Sequence, residues 1–405
     1  MLKFRARAVG PFKQLFHSIR KRRAGGDKTP DHLGYIADKT DDEQKLFDVC
    51  FANVLEIESV RRQYTTRYIR IHLDVLLSSS LAADIADPTE AFKRWIARLE
   101  APTGETKLFF PVYGIDLRID SVPIGKAILR HFHATEPRAD VPPIIGRDLT
   151  VEELAMLDAQ EERVRIEMRI NADHDKAIEL GQIEAERITD ALTFLATLEI
   201  APDFVGVQLG SPETREPRDG AILVISARTW ETRSTIPRPV SDLQISGALG
   251  PLLRKHGIDG LEELLIRNFE ELSEFERALL DAIHWFSVAV NERRIEIRFM
   301  SLVTAGELFF SHERAAITSN FSDGVAFLLA GDEDQEAREN LKKEIEEAYD
   351  ARSRISHSGS RAEEDERFVS LRRLIRELIR KLLSCRSEFH TLDNVLTWLR
   401  KKRLS

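Results

Sequence analysis

The periodicity of the apolar residues changes near residue 257, and this change constrains the fold more than any other feature of the sequence. Before it, several segments alternate apolar and polar residues, as Arg163–Ile170 does, and this pattern predicts strands. Beyond it, apolar residues such as Phe275, Leu279 and Ile283 recur every three or four positions, which predicts helices with one buried face. The sequence therefore predicts an α+β N-terminal domain followed by an all-helical C-terminal domain.

The expected elements follow from the same patterns. Strands are expected at Tyr64–Leu77, Lys107–Ile119 (two short strands around Gly114), Arg163–Ile170, Asp203–Leu209 and Gly220–Ala227. Helices are expected at Ala91–Leu99, after the capping box Thr150-x-x-Glu153, and at Asp175–Leu198, Phe275–Val290, Ser301–Phe310, Phe368–Leu383 and Thr391–Leu399. A further helix opens in the acidic run Gly331–Glu339 and extends to Ile355 or Ser356.

Three segments are expected along the chain. Residues 1–26 are a basic segment, residues 27–245 an α+β sensing or binding domain, and residues 246–405 the helical domain. Ser211–Asp219 is expected to be a loop, and Glu231–Asp242, with Pro237 and Pro239, is the candidate linker.

Composition excludes several classes of protein. With only Cys50 and Cys385, the chain has neither a disulfide framework nor a cysteine-based zinc site. No uncharged apolar run approaches the roughly 18 residues that a membrane span needs. We therefore expect a soluble protein of the reducing cytoplasm with no membrane partner.

The first 26 residues are basic although the whole chain carries a net charge of −9. They contain eight Lys or Arg residues and no acid. Such a segment suits a solvated basic tail, and it also suits contact with nucleic acid or an anionic surface. Its Arg-rich, acid-free composition is similar to that of an organellar transit peptide, although it has few serines.

Generic nucleotide-binding and hydrolase motifs are absent from the sequence. It contains no GxGxxG after a strand, no GxxxxGK[ST], no GxSxG and no HExxH. The clusters His131-x-His133 and Asp173-His174-Asp175 are short and common by chance, so we predict neither a metal nor a cofactor.

One stretch, Tyr349–Gly359, concentrates cations, an imidazole and hydroxyls at the end of a predicted helix. Arg352 and His357 are five residues apart, so an ideal helix places them about 140° apart around its axis. They share a face only if the helix loosens at His357, which the following Ser-Gly-Ser favours, whereas Arg354 and His357 are natural i,i+3 neighbours. The alternative is that these residues only decorate a frayed helix end.

Residues from about Phe275 to Arg380 resemble the HEPN superfamily, in particular its Apea-like branch. Arg352-x4-His357 lies in a run that is similar to the branch's "Y-x-x-R-S-x-x-x-H-x-G". ERALLDAIHWFSVAV (Glu276–Val290) and SLVTAGELFF (Ser301–Phe310) resemble its first two long helices, with Glu307 at the usual acidic position. FFPVYGIDL (Phe109–Leu117) resembles a segment that often precedes such domains in bacterial proteins. Ribonucleolytic members usually carry Asn, Asp or His after the arginine, whereas this chain carries Ser353, as Apea-like members often do.

The resemblance implies an all-α HEPN bundle that acts as a metal-independent endoribonuclease and leaves 2′,3′-cyclic phosphate ends. His357 would be the acid/base, Arg352 would hold the phosphate, and Ser353 would orient either residue. It also implies a homodimer through the helical domain, in which two motifs face one cleft, and a bacterial defence or toxin-like role with a trigger ligand or protein at the N-terminal domain. The alternative is a non-catalytic HEPN module for dimerisation or for binding nucleotides or RNA.

A basic stripe follows the motif. Arg372, Arg376 and Arg380 are spaced i, i+4, i+8, and with Arg354 they are the predicted RNA-binding residues. The alternative for the stripe is a solvated face that pairs with the acidic run Glu363–Glu366.

Overall fold

The computed structural model describes residues 2–25, 39–200, 206–209, 221–225, 230–234, 242–292, 294–310, 317–332, 334–358 and 365–404. The chain divides into two compact units, which are Met1–Leu108 with Arg169–Gln182 and Phe109–Met168 with Ile183–Ser405. The boundaries of these units differ from the predicted boundary between residues 245 and 246. The expected organisation into three segments stays a prediction. Among the described residues, no helix is both long and apolar enough to cross a bilayer.

Five helices supply the core of the first unit. They are α1 (Leu2–Ala24), α2 (Asp41–Leu55), α3 (Glu58–Gln63), α4 (Thr66–Ala82) and α5 (Thr89–Glu100). Fully buried aromatic side chains on α1, α2 and α5 meet in one cluster, in which the rings of Phe12 and Phe92 stack with centroids 4.4 Å apart. The helix predicted at Ala91–Leu99 is confirmed as α5.

The basic N-terminal segment is a core helix, which corrects the expectation of a solvated tail. Phe12, Leu15 and Ile19 are fully buried and recur at helical spacing. Among the cations whose side chains the structure describes, Lys13 and Arg22 form ion pairs with acids of the same unit. The apolar face of α1 therefore belongs to the core of the first unit.

The strand predicted at Tyr64–Leu77 is wrong, because α4 occupies most of this segment. The Thr65 hydroxyl accepts a hydrogen bond from the Tyr68 backbone N–H and so caps the helix. Ile69, Leu73 and Leu77 are fully buried and follow the helical spacing i, i+4, i+8. Residues four apart also lie on one face of a strand, so the same positions fit the alternating pattern of a strand.

The strands of the described part of the chain all lie between residues 105 and 245. They are β1 (Glu105–Tyr113), β2 (Ile115–Leu117), β3 (Ser121–Ile124), β4 (Ala127–His131), β5 (Val164–Asn171), β6 (Gln208–Leu209), β7 (Ala221–Ile225), β8 (Trp230–Ser234) and β9 (Leu243–Ile245). A five-stranded sheet has the order β3-β4-β5-β1-β6, in which the pairs β3-β4, β4-β5 and β1-β6 are antiparallel. β2 and β9 pair in parallel, and β7 and β8 form a separate antiparallel pair.

The two strands predicted around Gly114 are confirmed as β1 and β2, and that at Arg163–Ile170 as β5. Gly114 has φ +84°, and a Cβ at this position would lie 2.2 Å from the Gly206 carbonyl oxygen, so only glycine fits between these strands. The predicted linker Glu231–Asp242 begins instead within β8, and most of its remainder lies outside the described residues, as does the predicted loop Ser211–Asp219.

Helices make up the rest. They are α6 (Thr135–Ile145), α7 (Val151–Asp158), α8 (His174–Glu199), α9 (Leu249–Lys255), α10 (Gly260–Ile266), α11 (Glu274–Asn291), α12 (Ile295–Glu307), α13 (Ile317–Ala330), α14 (Gln335–Ser358), α15 (Asp365–Ser384) and α16 (Leu392–Leu404). The predicted helices in this part are confirmed, and so is the capping box of Thr150 and Glu153. α13 was not predicted. The coarse prediction of an α+β region followed by a helical region therefore holds.

The helical region is centred on α12 and α15. α12 contacts α11, α14 and α15, and α13 packs against α14. Phe275, Phe309, Phe310 and Phe321 are fully buried between these helices. This packing brings the last turn of α12 against the C-terminal half of α14, where the predicted site lies.

Candidate functional site

Arg352 on α14 meets Glu307, the last residue of α12. The two guanidinium Nη atoms lie 3.0 and 3.1 Å from the two carboxylate oxygens, a bidentate ion pair. Arg352 also donates a hydrogen bond of 3.2 Å to the hydroxyl of Tyr349, one helical turn earlier, and its guanidinium lies 5.3 Å from the Tyr349 ring centroid. Arg352, Tyr349 and Glu307, the three residues that carry the resemblance described above, are therefore in contact.

This contact is partly shielded from water. The side chain of Glu307 is 15% exposed and that of Arg352 is 27% exposed. Burial raises the pKa of Glu307 above its ordinary value, and the nearby guanidinium opposes this rise. The arrangement holds a planar cation in one orientation at the surface of the helical region.

The rest of the motif follows within the next five residues of α14. The helix continues through His357 to Ser358, so the expected loosening at His357 does not occur. A regular helix then places Arg352 and His357 about 140° apart around the axis. The side chains of Ser353, Arg354 and His357 lie outside the described part of the structure.

The three arginines predicted to form a stripe on α15 have three different environments. Arg372 is 3% exposed, with its guanidinium 5.5 Å from the Phe368 ring centroid. Arg376 donates a hydrogen bond of 2.8 Å to the Thr197 carbonyl oxygen. Arg380 is about half exposed. Arg372 thus belongs to the interior of the region, and the three do not form one exposed stripe.

A cleft of about 660 Å³ lies along the other cationic face of α15. Its charged lining residues on this helix are Arg373, Arg376, Glu377, Arg380 and Lys381. The rest of the lining consists of leucines of α13, α14 and α15, Ser384 at the end of α15, and the turn at His256 and Gly257. The cleft therefore holds two of the predicted RNA-binding arginines and two cations that sequence reasoning did not select.

Helical geometry explains why the predicted stripe includes the buried Arg372 and omits the exposed Arg373. Residues 368, 372, 375, 379 and 382 follow the three-to-four spacing of the buried face of α15 and are all buried. Arg373, one position later, is exposed and follows the spacing of Arg376 and Arg380. Starting the stripe at Arg373 rather than Arg372 would have identified the cationic face.

Of the metal-like clusters in the sequence, His131-x-His133 has protein partners. In the described part of the chain, one group brings three ligand-type side chains within 4.8 Å of one another, namely His133, Glu161 and Glu162. His133 lies 3.4 Å from Glu161, whose other oxygen accepts a hydrogen bond from the Ala134 backbone N–H. These side chains contact one another at the surface, and such exposed acidic groups are common without a metal.

His284 on α11 and Asp190 on α8 form a second imidazole–carboxylate pair, which sequence reasoning missed. Nδ1 of His284 lies 2.8 Å from Oδ2 of Asp190. Burial raises the pKa of Asp190, and the hydrogen bond to Asp190 raises the pKa of His284. The residues are 94 positions apart, so no local sequence signal could join them.

Comparison with protein-family models, curated protein sequences and solved structures found no match to this chain. Functional assignment therefore depends on the residues and geometry above.

Proposed function

We propose that this protein is a metal-independent endoribonuclease whose helical region is a HEPN-type bundle. The observation that carries the proposal is the contact of Arg352 with Glu307 and Tyr349 across α12 and α14. These three residues were singled out by one resemblance, from segments 42 residues apart, and they lie together in the fold. A chance match of short motifs has no reason to produce this contact.

The chemistry follows from the residue types. The RNA 2′-hydroxyl attacks the adjacent phosphorus, the bond to the 5′-oxygen breaks, and a 2′,3′-cyclic phosphate and a 5′-hydroxyl form. His357 moves the protons, because an imidazole titrates near neutral pH. Arg352 binds the charge that develops on the phosphoryl oxygens, and Ser353 orients either residue. Glu307 is a positioning residue that fixes the plane of the guanidinium.

A homodimer resolves the geometry of the motif. Within one chain, a regular helix places positions 352 and 357 about 140° apart around the axis of α14. A two-fold interface between the helical regions pairs residue i with residue j in both directions. In such a dimer, Arg352 of one protomer serves the imidazole of its partner, and two equivalent sites form.

The wider role belongs to the same proposal. The protein acts in the cytoplasm in a bacterial defence or toxin-like system, and its N-terminal region receives the trigger ligand or protein. RNA binding by Arg354, Arg372, Arg376 and Arg380 stays a prediction.

One observation favours a second candidate, a non-catalytic HEPN module that dimerises or binds nucleotides or RNA. Both oxygens of Glu307 contact the Arg352 guanidinium, so the cation is already neutralised inside the protein. A catalytic arginine has to bind the phosphate with the N–H donors that Glu307 and Tyr349 leave over, whereas a structural arginine need not bind one.

An RNA cleavage assay separates the two candidates. Wild-type protein is incubated with total RNA beside His357→Ala, Arg352→Lys and the control His390→Ala, which removes an exposed imidazole on the chain segment before α16. The nuclease proposal predicts cleavage by wild type and His390→Ala and loss of cleavage in the other two, because lysine lacks the planar fork. Equal activity in all four proteins, or in none, contradicts it.

A further inference from the structure

The cleft along α15 carries positive charge beyond Arg376 and Arg380, the two lining residues that are also predicted to bind RNA. Arg373, Arg376, Arg380 and Lys381 line it, against the single lining carboxylate of Glu377. Glu377 pairs with Arg376 at 3.3 Å and with Arg380 at 2.6 Å, so one negative charge is shared between these two arginines. The α15 face of the cleft therefore carries an excess of positive charge in a chain whose net charge is −9.

Two of these cations are placed to bind a ligand. Arg373 and Lys381 are exposed, and neither forms an ion pair with any residue of the described part of the chain. Arg376 is held more firmly by its hydrogen bond to the Thr197 carbonyl oxygen. The cleft thus combines a fixed guanidinium with two adaptable cations, all within about 12 Å along one helix.

The remaining lining is apolar. Leu328 and Leu374 are buried and contribute their edges, and Leu329 and Leu341 are half-buried. A surface that only tracks a nucleic-acid backbone needs cations but not leucines. A volume of about 660 Å³ lies within the usual range for small-molecule sites.

The cleft is also separate from the Arg352 motif. Leu341, its lining residue on α14, precedes Arg352 by eleven residues, which is about 16 Å along the helix. On α15, the predicted route of a backbone-binding stripe is interrupted, because Arg372 is buried. The cleft and the Arg352 motif are therefore not joined by an exposed row of cations that includes Arg372.

We propose that this cleft binds a small ligand that carries two or more phosphate groups on an apolar or aromatic body, the chemistry of a nucleoside diphosphate or triphosphate. Arg373, Arg376, Arg380 and Lys381 hold the phosphates, through charge-assisted hydrogen bonds. Leu329 and Leu341 contact the body. This site does not depend on the nuclease proposal, because no residue of the Arg352 motif lines it.

The test is isothermal titration calorimetry of the full-length chain with three probes, in metal-free buffer at physiological salt. ATP carries both parts of the proposed ligand, inorganic tripolyphosphate carries only the charge, and adenosine carries only the body. We expect ATP to bind more tightly than tripolyphosphate and adenosine to bind weakest. Short single-stranded oligouridine is titrated in parallel.

Four variants locate the binding. Arg373→Ala and Lys381→Ala should each weaken ATP binding by at least about tenfold, since each removes a charge-assisted contact to phosphate. Leu341→Ala should weaken ATP but leave tripolyphosphate unchanged. Lys401→Ala removes an exposed lysine from the last turn of α16, outside the cleft, and should change neither. Melting temperatures confirm that each variant is folded.

Three results would overturn the proposal: no ATP binding at millimolar concentration, ATP binding that Arg373→Ala and Lys381→Ala leave intact, or binding of oligouridine alone with sensitivity to these substitutions. The last result would make the cleft an RNA-binding surface. Loss of the nuclease proposal changes none of these readouts, because they measure binding without cleavage.

Discussion

Replacing Arg352 by alanine tests whether the ion pair with Glu307 is part of the fold. The substitution removes both hydrogen bonds to a carboxylate that is 15% exposed and leaves it with no described cation partner. A buried charge without its partner is costly, because the low-dielectric surroundings solvate it poorly.

The expected magnitude follows from the exposure of the pair. Breaking a fully buried ion pair costs about 3–5 kcal/mol, and an exposed pair contributes about 0–1 kcal/mol. With side chains 15% and 27% exposed, the Arg352–Glu307 pair lies between these limits. We expect Arg352→Ala to lower the free energy of unfolding by about 2 kcal/mol at pH 7.

This loss should depend on pH. Burial raises the pKa of folded Glu307, and the Arg352 cation opposes that rise, so the variant has a still higher folded-state pKa. An acid whose folded pKa is above its unfolded value destabilises the protein as pH rises through that range, and the cost disappears below its unfolded pKa. The loss caused by Arg352→Ala should therefore shrink as pH falls from 7 towards 5.

Urea unfolding followed by circular dichroism measures these free energies. Adding Glu307→Gln to Arg352→Ala should restore much of the lost stability, because the buried charge is gone. Lys343→Ala removes an exposed cation from the same helix and should change stability by less than about 0.5 kcal/mol. A loss for Arg352→Ala no larger than that of Lys343→Ala, or one that does not change with pH, would refute this reasoning.

Three further predictions address other parts of the molecule. Phe12→Ala should lower the free energy of unfolding in urea by about 3–5 kcal/mol, because the Phe12 ring is fully buried against Phe92. Lys21→Ala, which removes an exposed side chain of the same helix, should have little effect. Equal losses in the two variants would show that α1 is not a core helix. Both ring nitrogens of His131 lie within 3.0 Å of carbonyl oxygens, and the hydrogen bond to the Glu162 carbonyl contributes most to raising the pKa of His131. The protonated imidazole therefore stabilises the fold below about pH 6.5, and this stabilisation is lost as pH rises through the folded-state pKa. His131→Gln should flatten this decline of stability with pH, and a pH profile equal to that of the wild type would contradict the prediction. Light scattering at micromolar concentration should give twice the mass of one chain, and a monomeric mass would count against dimerisation.

The sequence predicted the elements whose pattern had one interpretation. Apolar and polar residues alternate along the sequence of β5, and α11 has a buried face with apolar residues at every third or fourth position. It failed where one segment satisfies two patterns, as in α4, whose apolar residues at every fourth position also fit a strand. It also failed in α1, because eight cations hide a buried face that is only seen once the surrounding helices are in place.

The site was predictable in part for a similar reason. Tyr349 and Arg352 are one turn apart on α14, so their contact follows from local geometry, whereas their contact with Glu307 needs the packing of α12. The cleft combines α13, α14, α15 and the turn after α9, and the pairing of His284 with Asp190 joins two distant helices. Such groupings depend on tertiary packing, and no local pattern contains them.

The most direct test of the central claim is the chemistry of the RNA ends that the protein produces in excess EDTA. If Arg352 and His357 carry out the reaction without a metal, cleavage continues in EDTA, and every new 3′ end is a 2′,3′-cyclic phosphate opposite a 5′-hydroxyl. Loss of cleavage in EDTA that Mg²⁺ restores, or products with 3′-hydroxyl and 5′-phosphate ends, would contradict the account.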